Sequence, residues 1–146
     1  MTPTSGEFHG PEHRLPVRVY YEDTDFSGVV YHANYVKFFE RGRTDALRTL
    51  GIHHTELLEE DTVFVIRRME VEFLRPATVD DALLIKTFCQ SARGARMILT
   101  QSIERDGAVL ATARVEAALI SRNGRPRKLP ASLVALLAPW FADSAS

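Results

Sequence analysis

The chain has 146 residues, of which 45% are hydrophobic and 25% are charged, a balance typical of a globular domain that buries a core of its own. A formal net charge of -1 argues against nucleic acid as a partner, and a single cysteine, Cys89, excludes an internal disulfide framework. No apolar run approaches the ~20 residues that span a bilayer. The first residues lack the apolar stretch of a signal peptide, so we expect no membrane span and a cytoplasmic location.

The predicted elements begin after an N-terminal arm. Residues 1–14 contain Gly and Pro without apolar periodicity and predict a disordered arm, so the single folded domain is expected over residues 15–142. Residues 15–21 (LPVRVYY) predict a first strand. Residues 23–31 carry Asp, Ser and Gly and predict a loop.

A long helix is predicted next, from Asn34 as N-cap to a stop at Gly51. Its apolar stripe recurs at three- and four-residue steps and consists of Tyr35, Phe38, Phe39, Gly42, Ala46 and Leu50. A glycine inside a helix costs ~1 kcal/mol relative to alanine. We therefore expect Gly42 to allow a close approach of the sheet.

Four further strands are predicted over residues 62–76, 82–92, 95–105 and 108–121. Two glycine-containing turns, Arg93 with Gly94 and Asp106 with Gly107, connect the last three as hairpins. A short C-terminal helix follows, which Pro139 should end or kink. This order predicts an α+β fold in which one long helix packs on a five-stranded antiparallel sheet. Residues 108–121 are small or apolar on both faces, with Val109, Ala111, Ala113, Val115 and Ala117 on one and Leu110, Ala118 and Ile120 on the other. Because one of these apolar faces must be the outer one, the pattern predicts self-association.

The stretch YYEDTDFSGVVYHANYVKFFE, residues 20–40, is the most specific pattern in the chain. It closely resembles the hotdog-fold acyl-CoA thioesterases, in the branch that contains the Tol-Pal-associated thioesterase and 4-hydroxybenzoyl-CoA thioesterase. The resemblance covers residues 15–50, and the later strand order fits the same fold to about residue 138. The chain departs from the usual pattern at two places: Phe26 and Ser27 stand before the glycine of the turn, and Gly42 replaces a more usual Ala.

The chemistry of thioester hydrolysis fits this stretch. A helix start offers free backbone N–H groups near Tyr31 and His32, which can stabilise an oxyanion. Gly28 lets the loop fold back and bring Asp25 close, where its carboxylate can act as nucleophile or as general base on water. The resemblance implies that Asp25 is the essential carboxylate, that Tyr21 and His32 support it, and that the His32 N–H is the oxyanion donor.

Several of these residues also have simpler interpretations. Asp23 is interpreted as a carboxylate that orders the loop, and Tyr35 as a packing residue. His32 could merely begin the helix, and Glu40 is a second candidate catalytic carboxylate. A metal site that combines Asp25 and His32 with neighbouring acids is disfavoured because no second histidine accompanies them, and the resemblance implies no metal or redox cofactor.

A basic segment near the C-terminus is a candidate for binding the phosphates of coenzyme A. It contains Arg122, Arg125, Arg127 and Lys128, with Arg93 and Arg96 as weaker candidates. The alternative interpretation is that these cations only keep an exposed loop soluble.

The resemblance implies an enzyme that hydrolyses acyl-CoA, with short- to medium-chain aliphatic acyl groups as the first expectation and aromatic acyl groups as the alternative. It also implies dimers with sites at the interface, which pair into tetramers. An acyl carrier protein is an alternative donor of the thioester. A hydratase and a non-hydrolytic acyl-CoA sensor are the competing functions.

Overall fold

The computed structural model describes residues 5–141, in which six antiparallel strands form one sheet and a long helix packs against its inner face. The strands, in the spatial order β1-β2-β4-β5-β6-β3, are β1 (Glu7–His9), β2 (Glu12–Arg18), β3 (Val63–Phe73), β4 (Ala82–Arg93), β5 (Arg96–Arg105) and β6 (Ala108–Ile120). The helices are α1 (His32–Thr49), α2 (His54–Glu59) and α3 (Ala131–Leu137), with 3-10 turns at Tyr21–Asp23 and Ala138–Phe141. The α+β prediction is confirmed, with one strand more than expected.

The additional strand lies in the predicted N-terminal arm, where disorder was expected. Residues 1–4 lie outside the described residues, but β1 pairs with β2 in a hairpin. The cause is a buried polar contact that no local pattern reveals: Asp45 Oδ2 on α1 accepts the Gly6 N–H at 2.8 Å and lies 2.9 Å from the His13 Nε2. Burial lowers the pKa of the His13 imidazole, so the ring packs in its neutral form against Phe8.

Helix α1 begins three residues before the predicted start. The N-cap is Tyr31 rather than Asn34, because the Asn34 side chain donates to Asp23 Oδ1 at 2.8 Å instead of capping the helix. The apolar stripe lies in the core as predicted, with Phe38 and Phe39 completely buried. Gly51 follows the helix with a φ of 86°, which is the left-handed conformation expected of a stop signal.

Gly42 lies where α1 comes closest to the sheet. A Cβ atom at this position would meet Ile85 Cγ2 at 2.8 Å and Thr87 Oγ1 at 3.0 Å, both on β4. The Gln101 side chain fills the remaining space and donates to the Phe39 carbonyl at 2.8 Å and to Thr87 Oγ1 at 3.0 Å. The predicted close approach is confirmed.

The outer face of β6 differs from its prediction. Leu110 and Ala118 are already buried within the chain, and the same face carries Thr112, Arg114 and Glu116 between them. Glu116 pairs with Arg96 at 3.1 Å. Because this face is partly covered and partly charged, it does not supply the exposed apolar surface on which the expectation of self-association was based.

The C-terminal helix follows its prediction, and the single cysteine is buried. Helix α3 ends at Leu137, just before Pro139, and a 3-10 turn carries Trp140 into the core. Cys89 is buried in β4, and burial raises the pKa of its thiol to about 12, so the thiol is a poor nucleophile at neutral pH. Among residues 5–141, no helix is both long enough and apolar enough to cross a membrane.

Candidate active site at the start of helix α1

A tight hairpin loop presents Asp25 beside the start of α1. The Asp25 N–H donates to the Val29 carbonyl at 2.9 Å, and the Gly28 N–H donates back to the Asp25 carbonyl at 3.1 Å. Thr24 forms a β-bridge with Val30, so the two sides of the loop run antiparallel. Gly28 has a φ of 83°, a conformation that few other residues adopt readily, which explains the glycine at this turn.

The Asp25 carboxylate is exposed and polarised. Its Oδ1 accepts hydrogen bonds from the Ser27 N–H at 2.8 Å and from the Ser27 hydroxyl at 2.5 Å. These bonds, the hydroxyl first, hold the pKa of the Asp25 carboxyl below its usual value, so the group is ionised at neutral pH. The Oδ2 atom has no hydrogen-bond partner within residues 5–141, which leaves one carboxylate oxygen available for chemistry.

The first turn of α1 offers two unoccupied backbone donors. The Tyr31 N–H donates to the Asp23 carbonyl at 2.9 Å, and the Asn34 N–H donates to the Tyr31 carbonyl at 2.8 Å. Between them, the N–H groups of His32 and Ala33 have no acceptor in the part of the chain that the structure describes. Together with the positive end of the helix dipole, they can stabilise negative charge on a nearby oxygen.

An apolar depression of about 290 Å³ opens next to these donors. Its lining residues are Val30, His32, Tyr35, Phe73, Leu74, Arg75 and Pro76. The His32 ring lies against Tyr31 at 4.4 Å between centroids, with the two planes tilted by 44°, and forms an edge-on contact with Phe73 at 6.4 Å. The depression can therefore accept a small apolar group beside the helix start. A larger depression, of about 670 Å³, lies between β2 and the outer side of α1, is mainly polar and does not include Asp25.

The two candidate tyrosines have different surroundings. Tyr35 is buried, its phenol oxygen accepts the Ala77 N–H at 3.0 Å, and burial raises its pKa, in agreement with the predicted packing role. Tyr21 is 83% exposed, and its phenol makes no hydrogen bond within residues 5–141. The isolated chain therefore brings Asp25 and the His32 N–H to one loop and helix start, without a contact from the Tyr21 phenol.

The two other acids considered in the sequence analysis, Asp23 and Glu40, lie in surroundings that differ from those of Asp25. Asp23 is buried, and its Oδ2 accepts the Tyr20 N–H at 2.8 Å, as expected of a carboxylate that orders the loop. Glu40 is exposed two turns along α1. The described residues contain no cluster of three or more His, Cys, Asp or Glu side chains that could hold a metal ion. Asn34 is the residue that the sequence interpretation missed, since its only local signal was that of a helix cap.

The basic segment lies at the far end of the sheet from Asp25. Phe73, beside His32, pairs with Ala111, whereas the segment follows Ile120, nine residues further along β6 and about 30 Å away at the rise of a strand. Arg122 is engaged locally, because its guanidinium donates to the Leu58 carbonyl at 2.7 Å. The other three cations are Arg125, Arg127 and Lys128, which form no ion pair within residues 5–141. One chain alone therefore does not bring the segment to the candidate site.

Comparison with known proteins adds to this geometry. The family model described as "Thioesterase superfamily" matches residues 27–115, which is more than half of the chain. The chain belongs to the thioesterase superfamily.

Individual members of the thioesterase superfamily resemble the chain over most of its length. It is 46% identical over 124 residues to "Acyl-CoA thioester hydrolase YbgC" of Escherichia coli, covering 84% of this chain and 92% of the relative. A probable thioesterase from Bartonella henselae shares 49% identity with a TM-score of 0.78, over 82% of this chain and 99% of that one. A 4-hydroxybenzoyl-CoA thioesterase shares 19% identity with a TM-score of 0.80, over 87% and 99%, and at that identity shows the fold alone. The predicted family and hotdog fold are confirmed.

Proposed function

We propose that this thioesterase hydrolyses acyl-CoA to a free carboxylic acid and CoA, with Asp25 as its catalytic carboxylate. The observation that carries the proposal is the free Oδ2 of an ionised Asp25 on the loop that leads directly to the unoccupied His32 N–H. A carboxylate and an oxyanion donor are the two groups that hydrolysis of a thioester requires. The Escherichia coli relative, named an acyl-CoA thioester hydrolase, supports the same substrate class.

In the proposed mechanism the His32 N–H donates to the thioester carbonyl oxygen, and the helix dipole stabilises the charge that develops there. Asp25 Oδ2 attacks the carbonyl carbon, the C–S bond breaks, and its electron pair leaves with sulfur as the CoA thiolate. Water then hydrolyses the mixed anhydride and restores the carboxylate. The alternative is general-base activation of water, in which Asp25 Oδ2 accepts a proton from the water molecule that attacks the same carbonyl carbon.

The acyl group is expected to enter the depression beside His32. The apolar lining and a volume of about 290 Å³ suit a short- to medium-chain aliphatic group. The rings of Tyr31, His32 and Phe73 could also stack on an aromatic acyl group, which makes an aromatic acyl-CoA the second candidate substrate.

A panel of acyl-CoA substrates tests the activity and ranks these two classes. We expect the purified protein to release thiol from butyryl-, octanoyl- or benzoyl-CoA, at rates that differ at least ~10-fold across the panel because the depression discriminates by shape. The measurement is thiol release followed with a chromogenic disulfide, with acyl carrier protein thioesters as a further arm. Absence of hydrolysis with every thioester, accompanied by acyl-CoA binding, would instead favour a hydratase or a sensor.

We further propose that the site is completed by a second copy of the chain. The apolar residues around Asp25 are unusually exposed, notably Phe26, Phe73 and Leu74, which fits a surface that a partner covers. Strand β3 lies at the edge of the sheet and can pair antiparallel with the β3 of a partner. Such pairing brings the Val63 end of one β3 towards the Phe73 end of the other, and so the basic segment of one chain towards the Asp25 of its partner. The dimers are expected to pair into tetramers.

Complementation between two inactive variants tests this arrangement. One variant carries Asp25→Asn, and the other carries Arg125→Glu, Arg127→Glu and Lys128→Glu. After unfolding and refolding as an equal mixture, random pairing should restore about one quarter of wild-type activity, because half of the dimers are mixed and each contains one intact site. The unmixed variants are the controls. Mixed dimers without recovered activity would place both groups within the same chain's site. An unmixed Arg125, Arg127 and Lys128 variant that keeps its activity would show that the basic segment is not part of the site.

A further inference from the structure

A hydrogen bond between the Asp23 and Asn34 side chains attaches the start of α1 to the preceding loop. This bond leaves the backbone N–H groups of His32 and Ala33 unoccupied within residues 5–141. We propose that Asp23 and Asn34 are positioning residues, which fix the Asp25 carboxylate in place relative to the free His32 N–H. The inference rests on the proposed function of Asp25.

Asp23 connects three segments of the site. Its Oδ2 accepts the Tyr20 N–H at 2.8 Å, which fixes the turn after β2. Its Oδ1 accepts the Asn34 side-chain N–H at 2.8 Å, which fixes the first turn of α1. Its carbonyl accepts the Tyr31 N–H at 2.9 Å, which continues the hairpin ladder that carries Asp25. The side chain is only 4% exposed, so water competes little with these bonds.

Because Asn34 makes this contact from within the helix, the first backbone N–H groups of α1 are not used to attach the loop. A helix is ordinarily attached to its preceding loop by an N-cap side chain that accepts the second or third backbone N–H of the helix. Here the N-cap is Tyr31, which makes no side-chain capping bond. The loop is attached instead through a side chain within the helix, so the backbone N–H groups of His32 and Ala33 remain available to a substrate oxygen.

The Asp23–Asn34 pair also constrains the distance between the Asp25 carboxylate and the His32 N–H. Asp25 lies two residues after Asp23 on the same side of the hairpin, whereas His32 lies two residues before Asn34 on the helix. The Asp23–Asn34 hydrogen bond therefore closes the loop between the nucleophile and the oxyanion donor. A displacement of about 1 Å at such a site lowers the rate on the order of 100-fold, because the attacking and stabilising groups no longer act together.

Exchanging the two side chains provides a direct test. Asn34→Asp places two carboxylates against each other and should lower kcat about 10- to 100-fold, with KM changed less than about 3-fold, because positioning acts on the reacting atoms rather than on overall binding. The double variant Asp23→Asn with Asn34→Asp restores one donor and one acceptor. The amide introduced at position 23 accepts the Tyr20 N–H and donates to the carboxylate introduced at position 34. We expect kcat to recover to within about 5-fold of wild type.

The controls separate positioning from folding and from the role of Asp25. Thr24→Val removes the hydrogen bond from Thr24 Oγ1 to the Tyr21 carbonyl in the same turn, which does not reach the helix, and should leave kcat within about 3-fold. Asn34→Ala serves as the second variant if Asn34→Asp does not fold, with the same expected loss of kcat. Unchanged kcat in the folded Asn34 variants, or a loss that the exchanged pair does not recover, overturns the positioning role. If Asp25→Asn is itself fully active, the proposed role of Asp25 fails instead, whatever the Asn34 variants show.

Discussion

Replacing Asp25 with asparagine is expected to lower kcat/KM for acyl-CoA by about 100-fold or more. Asparagine keeps the size of the side chain and an oxygen that can accept the Ser27 N–H, so the loop should retain its conformation. The change removes the negative charge and replaces the free Oδ2, which is the only carboxylate oxygen of Asp25 without a partner in residues 5–141. An amide can neither attack the thioester carbonyl effectively nor accept a proton from water.

The measurement is thiol release at saturating and limiting acyl-CoA, so that kcat and KM are obtained separately. Glu22→Gln is the matched control, because it neutralises an exposed acid in the turn just before Asp25 and should leave kcat/KM within about 2-fold. An Asp25→Asn protein with nearly wild-type activity would show that Asp25 is structural. Glu40→Gln would then test the second candidate carboxylate.

Replacing Gly42 with valine is expected to destabilise the fold by about 3 kcal/mol. The Cβ alone would lie 2.8 Å from Ile85 Cγ2, and the two methyl groups of valine need still more space. Gln101 would have to move, which breaks its hydrogen bonds to the Phe39 carbonyl and Thr87 Oγ1 in the core. These costs exceed the gain of up to ~1 kcal/mol from removing a glycine from a helix.

Urea unfolding followed by circular dichroism measures this effect through the midpoint and the slope m. Arg48→Val is the control, since it introduces the same β-branched side chain at an exposed position of α1 and should cost less than about 1 kcal/mol. A Gly42→Val protein as stable as the control would show that α1 can move away from β4 without loss. The close approach would then not be the reason for the glycine.

The Asp25 loop and helix α1 show which features of the candidate site could be predicted from the sequence. The acids, the glycine turn and the following apolar stripe lie within 31 consecutive residues, 20–50, and each pattern reflects a local preference of the backbone or a periodic apolar face. For that reason Asp25, the Gly28 turn and the long helix could all be predicted. The start of the helix was misplaced by three residues, because Asn34 is typical of a cap by local preference and only its contact with Asp23 gives it another role.

The sequence by itself determined the α+β class, the order of the long strands and the buried stripe of α1. Each of these follows from the spacing of apolar residues along the chain, which matches the period of a helix or of a strand. Only the tertiary structure decided which distant residues meet. The arm folds because Gly6 and His13 bond to Asp45, more than thirty residues away. The basic segment lies far from Asp25 because antiparallel strands carry it to the other end of β6. Contacts of this kind depend on how the sheet pairs in space, and no local pattern encodes them.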